Sequence, residues 1–253
     1  MPTTLTTRYR YPKLALAAEP KGAHETTTPR FTLIELLVAM AVIAVLLGLL
    51  LAAIQRVRES ASRLRCANNL KQIGLALQNY HAARGTFPPG IVTGKSAGEP
   101  YAGMTWLVRL LPHLEQESLW NATVAAYRQS LNPYRDPPHV GLATPMALFS
   151  CPSDGRAEFA QDTHDDYRVA LTNYLGVNGT EGEARDGVLL PDRTVPLTEV
   201  TDGTSNTLAV GERPPSPDFW YGWWYSGAGH RGDGVADYLL GVRERNFGGR
   251  FVW

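Results

Sequence analysis

Residues 31–54, FTLIELLVAMAVIAVLLGLLLAAI, form an unbroken apolar run with a single charge, Glu35. As a helix this run spans about 36 Å, against a bilayer hydrocarbon core of about 30 Å. A surface helix of a soluble protein keeps one polar face, and this segment is apolar all round. A secretory signal has a shorter apolar region, about 7–15 residues, followed by a small-residue cleavage site. Here the run is longer and passes directly into a second helical pattern, so it reads as a retained membrane helix. Lys13, Lys21 and Arg30 precede it and Arg56, Arg58, Arg63 and Arg65 follow it, so the positive-inside rule does not orient it. A carboxylate five residues into such a helix costs a few kcal/mol in lipid unless it is paired or protonated. Glu35 therefore either snorkels to the interface or meets a cationic partner, such as a neighbouring subunit's N-terminal amine.

Beyond Ile54 the pattern becomes amphipathic. Ile54, Val57, Ala61 and Leu64 recur at three-four spacing, and Cys66, Leu70, Ile73, Leu77 and Tyr80 continue on a slightly rotated face. Gly85 and the Phe87-Pro88-Pro89-Gly90 stretch end it. The spacing predicts one helix over 31–83, roughly 80 Å long, its first half in lipid and its second half against a globular head. Gly74 is expected to mark a bend or a close contact. The chain divides into a basic segment at 1–30, this helix at 31–83, and a head at 84–253. The balance of 24 basic and 24 acidic residues excludes a strongly basic nucleic-acid binder. It also conceals an arrangement: the first two parts are basic and the head is acidic.

The head is turn-rich. MTWLVRLLPHLEQESLW (104–120) reads as a helix, 131–139 as a Pro-broken loop, and 169–177, 187–190 and 207–210 as strands between Gly/Asp/Asn clusters. Asp202-Gly203 and Asn178-Gly179 are turn signals. A small antiparallel sheet packed on the amphipathic half of the long helix is the expected architecture, an α+β fold.

FTLIELLVAMAVIAVL resembles the N-terminal segment of type IV prepilins and type II secretion pseudopilins. The resemblance implies that Met1–Arg30 is a leader cut before Phe31 by a prepilin peptidase, that Phe31 is then N-methylated, and that Glu35, fifth in the mature chain, sets register during filament assembly. Arg30 stands where this class usually has glycine, and the leader is long for the class. A second resemblance is to the pilin-like family known as domain of unknown function 1559. It rests on RCANNLKQIGLALQNYHAARGTFPPG, LFSCPSD (148–154), TNYLGVNGT (172–180) and VTDGTSNTLAVGERPP (200–215). That family implies a pilin-like architecture and no biochemical activity. Relatives commonly carry a terminal segment with a His and a later Asp-Gly. His230 and Asp233-Gly234 lie too close together to match it, which leaves a naturally short or a truncated end.

Together these imply a single-pass protein of the cytoplasmic (inner) membrane with its N-terminus cytoplasmic and its head extracytoplasmic. In that compartment a disulfide between Cys66 and Cys151 is favoured, the alternative being two buried free thiols. The aromatic stretch at 219–225 (Trp220, Trp223, Trp224, Tyr225) has two readings, a carbohydrate or protein contact surface or packing inside the head. Gly203-Thr204-Ser205-Asn206-Thr207 lacks the final Gly of a nucleophile elbow and reads as a turn. Six histidines show no ligand spacing. Asp162 with His164-Asp165-Asp166 is a weak calcium candidate, so no cofactor is expected. The expected function is structural, as a subunit or accessory of a pseudopilus, secretion or envelope assembly. Its partners would be the inner membrane, like subunits, the prepilin peptidase and an assembly platform. Two alternatives stand beside it: a membrane-anchored binding module that never polymerises, and an anchored hydrolase using Ser205 or an acidic pair.

Overall fold

A computed structural model of the chain describes residues 32–93, 100–163, 166–179, 186–216, 219, 222–227, 245–247 and 250–252. It divides into two compact units, Met1–Leu51 and Ala52–Trp253.

In the first unit the described residues belong to the start of helix α1, Leu33–Arg84. Its large apolar side chains from Leu33 to Leu51 are 52–80% exposed, and none of its most apolar stretch is buried within the structure. The helix is long and apolar enough to cross a membrane.

The second unit contains the remainder of α1 and the head. α1 buries Cys66, Ile73, Ala76 and Leu77 in the core, with Leu70 and Tyr80 packed at its margin. These positions return at intervals of three, four and seven, so a single stripe of the helix faces the head. Gly85, with φ of 77°, ends α1 by accepting the left-handed conformation, and its N–H bonds to the His81 carbonyl at 2.7 Å. The helix runs unbroken through Gly74, where an added Cβ meets nothing within 4 Å. The expected close contact is therefore absent.

The helix expected over 104–120 is interrupted. Trp106–Arg109 is α-helical (α2), Leu111–Leu114 forms a 3-10 turn around Pro112, which has no N–H to continue an α-helix, and the α-helix resumes at Glu117. Glu115 at φ 58° then turns the chain. The long head helix is α3, Glu117–Gln129, which buries Thr123, Ala126 and Tyr127 at three-four spacing.

Among the described residues the named strands form three antiparallel two-stranded ladders. β1 (Gln161–Asp162) pairs with β2 (Arg168–Val169), β3 (Tyr174–Gly176) with β4 (Val210–Glu212), and β5 (Arg245–Phe247) with β6 (Arg250–Val252). In the central pair Tyr174 faces Glu212 and Gly176 faces Val210. Of the expected strands, 169–177 is split into β2 and β3 and 207–210 shifts to begin at Val210. In the stretch expected as a strand at 187–190, residues 187–189 form bends, held by the Leu189 N–H on the Val177 carbonyl at 3.1 Å. Isolated bridges such as Phe87 with Val195, Met104 with Ser226 and Leu171 with Trp223 connect the loops. The fold is α+β, a long N-terminal helix with small antiparallel ladders.

Candidate functional site

Thr32 and Glu35 form a capping box at the start of α1. The Thr32 N–H and hydroxyl donate to Glu35 Oε2 at 2.8 and 2.9 Å, and the Glu35 N–H donates back to Thr32 Oγ1 at 3.2 Å. The carboxylate thus satisfies orphan donors of the first turn and sits at the positive end of the helix dipole. A local physical reason for an acidic residue in an apolar run is on view, one that the sequence reading did not weigh: Thr-x-x-Glu is the capping signature. Arg30 and Phe31, the expected processing residues, lie outside the described residues.

In the head, the structure joins Cys66 of α1 to Cys151, with Cα atoms 5.1 Å apart and a sequence separation of 85. Four separate stretches of the chain converge on this bond. From α1, the Asn69 side-chain amide donates to the Ser150 carbonyl at 3.0 Å and to the Tyr174 hydroxyl at 3.3 Å. That hydroxyl lies 3.4 Å from the Cys66 carbonyl, to which it donates. From the 172–174 stretch, the buried Asn173 accepts from the Cys151 N–H at 2.8 Å through its Oδ1 and donates to Asp154 at 3.2 Å through its amide. The Asn173 backbone carbonyl accepts from the Arg213 N–H at 2.8 Å. Arg156 reaches Asp154 through two side-chain contacts of 2.9 and 2.8 Å, and the Pro215 carbonyl at 2.8 Å. One asparagine thereby ties the disulfide loop, the β3 entrance and the end of β4 together. Every buried polar atom of Asn173 that these bonds involve is satisfied, as burial requires.

The electrostatics of this junction are divided. Burial opposes ionisation of Asp154. Bonds from the Arg156 side chain and backbone, the Arg156 charge and the Asn173 amide outweigh it and leave the carboxyl below its ordinary value. Across β4, burial and the Asp154 charge raise Glu212 above its ordinary value. Burial pushes the Tyr174 hydroxyl up to about 12, so it stays protonated as a donor. Glu212 and the two sulfurs lie within 4.8 Å of one another. Both sulfurs are consumed in the disulfide, which leaves one carboxylate and no metal-ligand set there.

The aromatic stretch is corrected by the structure. Trp223, Trp224 and Tyr225 are 4%, 0% and 1% exposed, so they are core residues and not an exposed contact surface. Trp220 lies outside the described residues. The Trp224 indole donates to the Thr144 carbonyl at 2.9 Å and tilts against Phe149 at 5.4 Å. The Tyr225 hydroxyl meets Nδ1 of the buried His139 at 2.9 Å, and His139 Nε2 donates to the Ser130 carbonyl at 2.7 Å. A carbonyl only accepts, so Nε2 carries a hydrogen. Gly141 lies beneath the ring, where a Cβ would come within 2.2 Å of Tyr225. Each polar tip of these aromatics that enters a bond finds an internal partner, which is what burial of Trp and Tyr demands.

The 202–207 segment is a turn. Gly203 adopts φ 85°, the Asn206 amide donates to the Asp202 carbonyl at 3.1 Å, and the Thr207 hydroxyl to the Gly203 carbonyl at 3.1 Å. No base sits within hydrogen-bond distance of Ser205 among the described residues. In the acidic segment considered for calcium, Asp162 pairs with Arg168 at 3.4 Å on the surface; His164 and Asp165 lie outside the described residues. An apolar groove of about 280 Å³ runs along α1 at Leu70, Gly74 and Leu77, faced by Val188, Leu197 and Val210.

No curated protein and no solved structure matches the chain. A family described as a protein of unknown function (DUF1559) matches residues 55–238, a region that includes Cys66, Cys151, Asn173 and Glu212 and therefore the whole disulfide junction. That match covers well over half of the sequence, and the chain belongs to the DUF1559 family.

Proposed function

We propose that this protein is a membrane-anchored, pilin-like structural subunit or accessory of a pseudopilus, secretion or envelope assembly. The carrying observation is the division of labour along α1: apolar, exposed side chains from Leu33 to Leu51, then Cys66, Ile73 and Leu77 buried in the head. A helix that is apolar on every side needs lipid or other apolar helices around it. The disulfide supports a head in an oxidising compartment outside the inner membrane. The partners are the inner membrane, like subunits, the prepilin peptidase and an assembly platform, and the role is mechanical, with no substrate turned over.

A second reading follows from Arg30, which replaces the small residue usual before the cut: the chain stays uncut and acts as a monomeric anchor presenting the head. Mass spectrometry of the N-terminus of membrane-extracted protein separates the two. A methylated Phe31 supports the filament role, and an intact Met1 supports the anchor. Recovery of the protein in the soluble fraction after cell breakage would sink both.

A further inference from the structure

A second cleft of about 580 Å³ opens in the head between α1 and the 145–158 segment. Arg58, Ser62 and Arg65 line its helical wall, and Asp154 and Glu158 are on the opposite one. At 100° per residue the three helical positions fall within an arc of about 60°, so both guanidiniums are carried on one face. Their engagement differs from that of their neighbours. Arg63 is paired with Glu59 at 3.0 Å, and Asp154 is held by Arg156 at 2.8 Å. Among the described residues, Arg58, Arg65 and Glu158 form no ion pair with any partner. The cleft thus holds two cations and a carboxylate that do not bridge to each other, with ligand-sized space between them.

Such a cleft suits a small group carrying an anion and an amine together. Guanidinium groups match phosphate oxygens bidentately, and Glu158 accepts from an ammonium. The depth of the site selects among such groups. Arg58 lies four residues beyond Ile54, the last residue of the apolar run, a rise of about 6 Å along the helix. That places Arg58 in the headgroup layer of a bilayer whose hydrocarbon ends near Ile54, with Arg65 about 10 Å further along the helix from the hydrocarbon.

We propose that the cleft bounded by Arg58, Arg65 and Glu158 binds the phosphoethanolamine headgroup of a membrane lipid, the phosphate on the arginines and the amine on Glu158. The inference rests on the membrane-anchored reading above. Its consequence is that the head is fixed at a set height and rotation over the bilayer by a lipid as well as by the helix.

The test uses the full chain in detergent micelles doped in turn with phosphatidylethanolamine, phosphatidylcholine or phosphatidylglycerol of identical acyl chains, with retained lipid read by native mass spectrometry. Phosphatidylethanolamine should be retained about tenfold over phosphatidylcholine, whose quaternary ammonium has no hydrogen to donate to Glu158. R58Q/R65Q should lose retention of both phosphatidylethanolamine and phosphatidylglycerol. E158Q should lose only the preference for phosphatidylethanolamine over phosphatidylglycerol. All three side chains are at the surface, and an unchanged melting temperature confirms that the variants fold. Equal retention of the three lipids, or a double variant that binds like the parent, overturns the cleft assignment alone. Displacement of the lipid by an equal concentration of soluble phosphoethanolamine overturns the lipid as its source. A chain that takes up no lipid of any kind overturns the membrane anchoring, and the inference with it.

Discussion

Breaking the Cys66–Cys151 bond is the perturbation whose size follows most directly from the structure. The bond closes a loop with a sequence separation of 85. In the chain-entropy description, a loop of that length removes about 15 cal/mol/K from the unfolded ensemble, or about 4.5 kcal/mol at 25 °C. That is roughly three powers of ten in the ratio of folded to unfolded head. For a domain of this size each kcal/mol moves the melting temperature by about 2–4 °C, so the loss should lower it by about 9–18 °C. The bonds from Asn69 to Ser150 and from Tyr174 to the Cys66 carbonyl survive the change, so the head should still fold at low temperature. The assay is thermal unfolding of membrane-extracted protein followed by near-ultraviolet circular dichroism, which reports the packing of Trp223 and Trp224. It is run for the parent with and without reductant and for C66S/C151S. A shift below about 3 °C would refute the reasoning, as would unchanged gel mobility of the parent on reduction.

Trp224→Ala should cost about 3–5 kcal/mol, because the ring is buried against Phe149 and its N–H is bonded; denaturant unfolding checks this, and a loss under 1 kcal/mol would return Trp224 to the surface. Two glycines should respond oppositely in the same assay. Gly90→Ala places a Cβ 2.4 Å from the Leu189 carbonyl oxygen and should destabilise by about 1–3 kcal/mol, whereas Gly74→Ala fills open space in a helix and should stabilise by up to about 1 kcal/mol. Glu212 has a raised folded pKa, so the parent should lose stability as pH rises from the ordinary glutamate value through that raised value. E212Q should remove the loss, matching the parent in acid and exceeding it at neutral pH. Asp154 has a lowered folded pKa, so its contribution is present above the ordinary aspartate value and disappears as pH falls through the lowered one. D154N should therefore cost stability at neutral pH and progressively less in acid, as melting temperatures across the pH range would reveal.

Much of the architecture was legible because it rests on local patterning. The all-apolar run at 31–54 and the three-to-four spacing of Cys66, Leu70, Ile73, Leu77 and Tyr80 both report a helix and the face it buries. Gly85 marks its end because only the left-handed region remains there. The split of 104–120 was less legible: Leu107, Leu110, Leu111 and Leu114 keep helical spacing, yet Pro112 and the left-handed Glu115 divide them. The aromatic stretch was ambiguous for another reason. Trp and Tyr have the same composition at an interface as in a core, and only the partners of their polar tips, Thr144 and His139, tell the two apart.

Sequence alone established the membrane-length helix, its amphipathic continuation, the α+β class and the charge division along the chain, because periodicity, capping chemistry and burial length act over a few neighbouring residues. Folding in three dimensions was needed to bring Asn69, Cys151, Asn173 and Arg213 to one junction. It was also needed to bury Trp224 and to set unpaired Arg58 and Arg65 across a cleft from Glu158. Those outcomes depend on contacts between residues up to about a hundred positions apart. No local preference encodes such contacts; they are selected by how the whole core closes and by the requirement that each buried polar group find a partner.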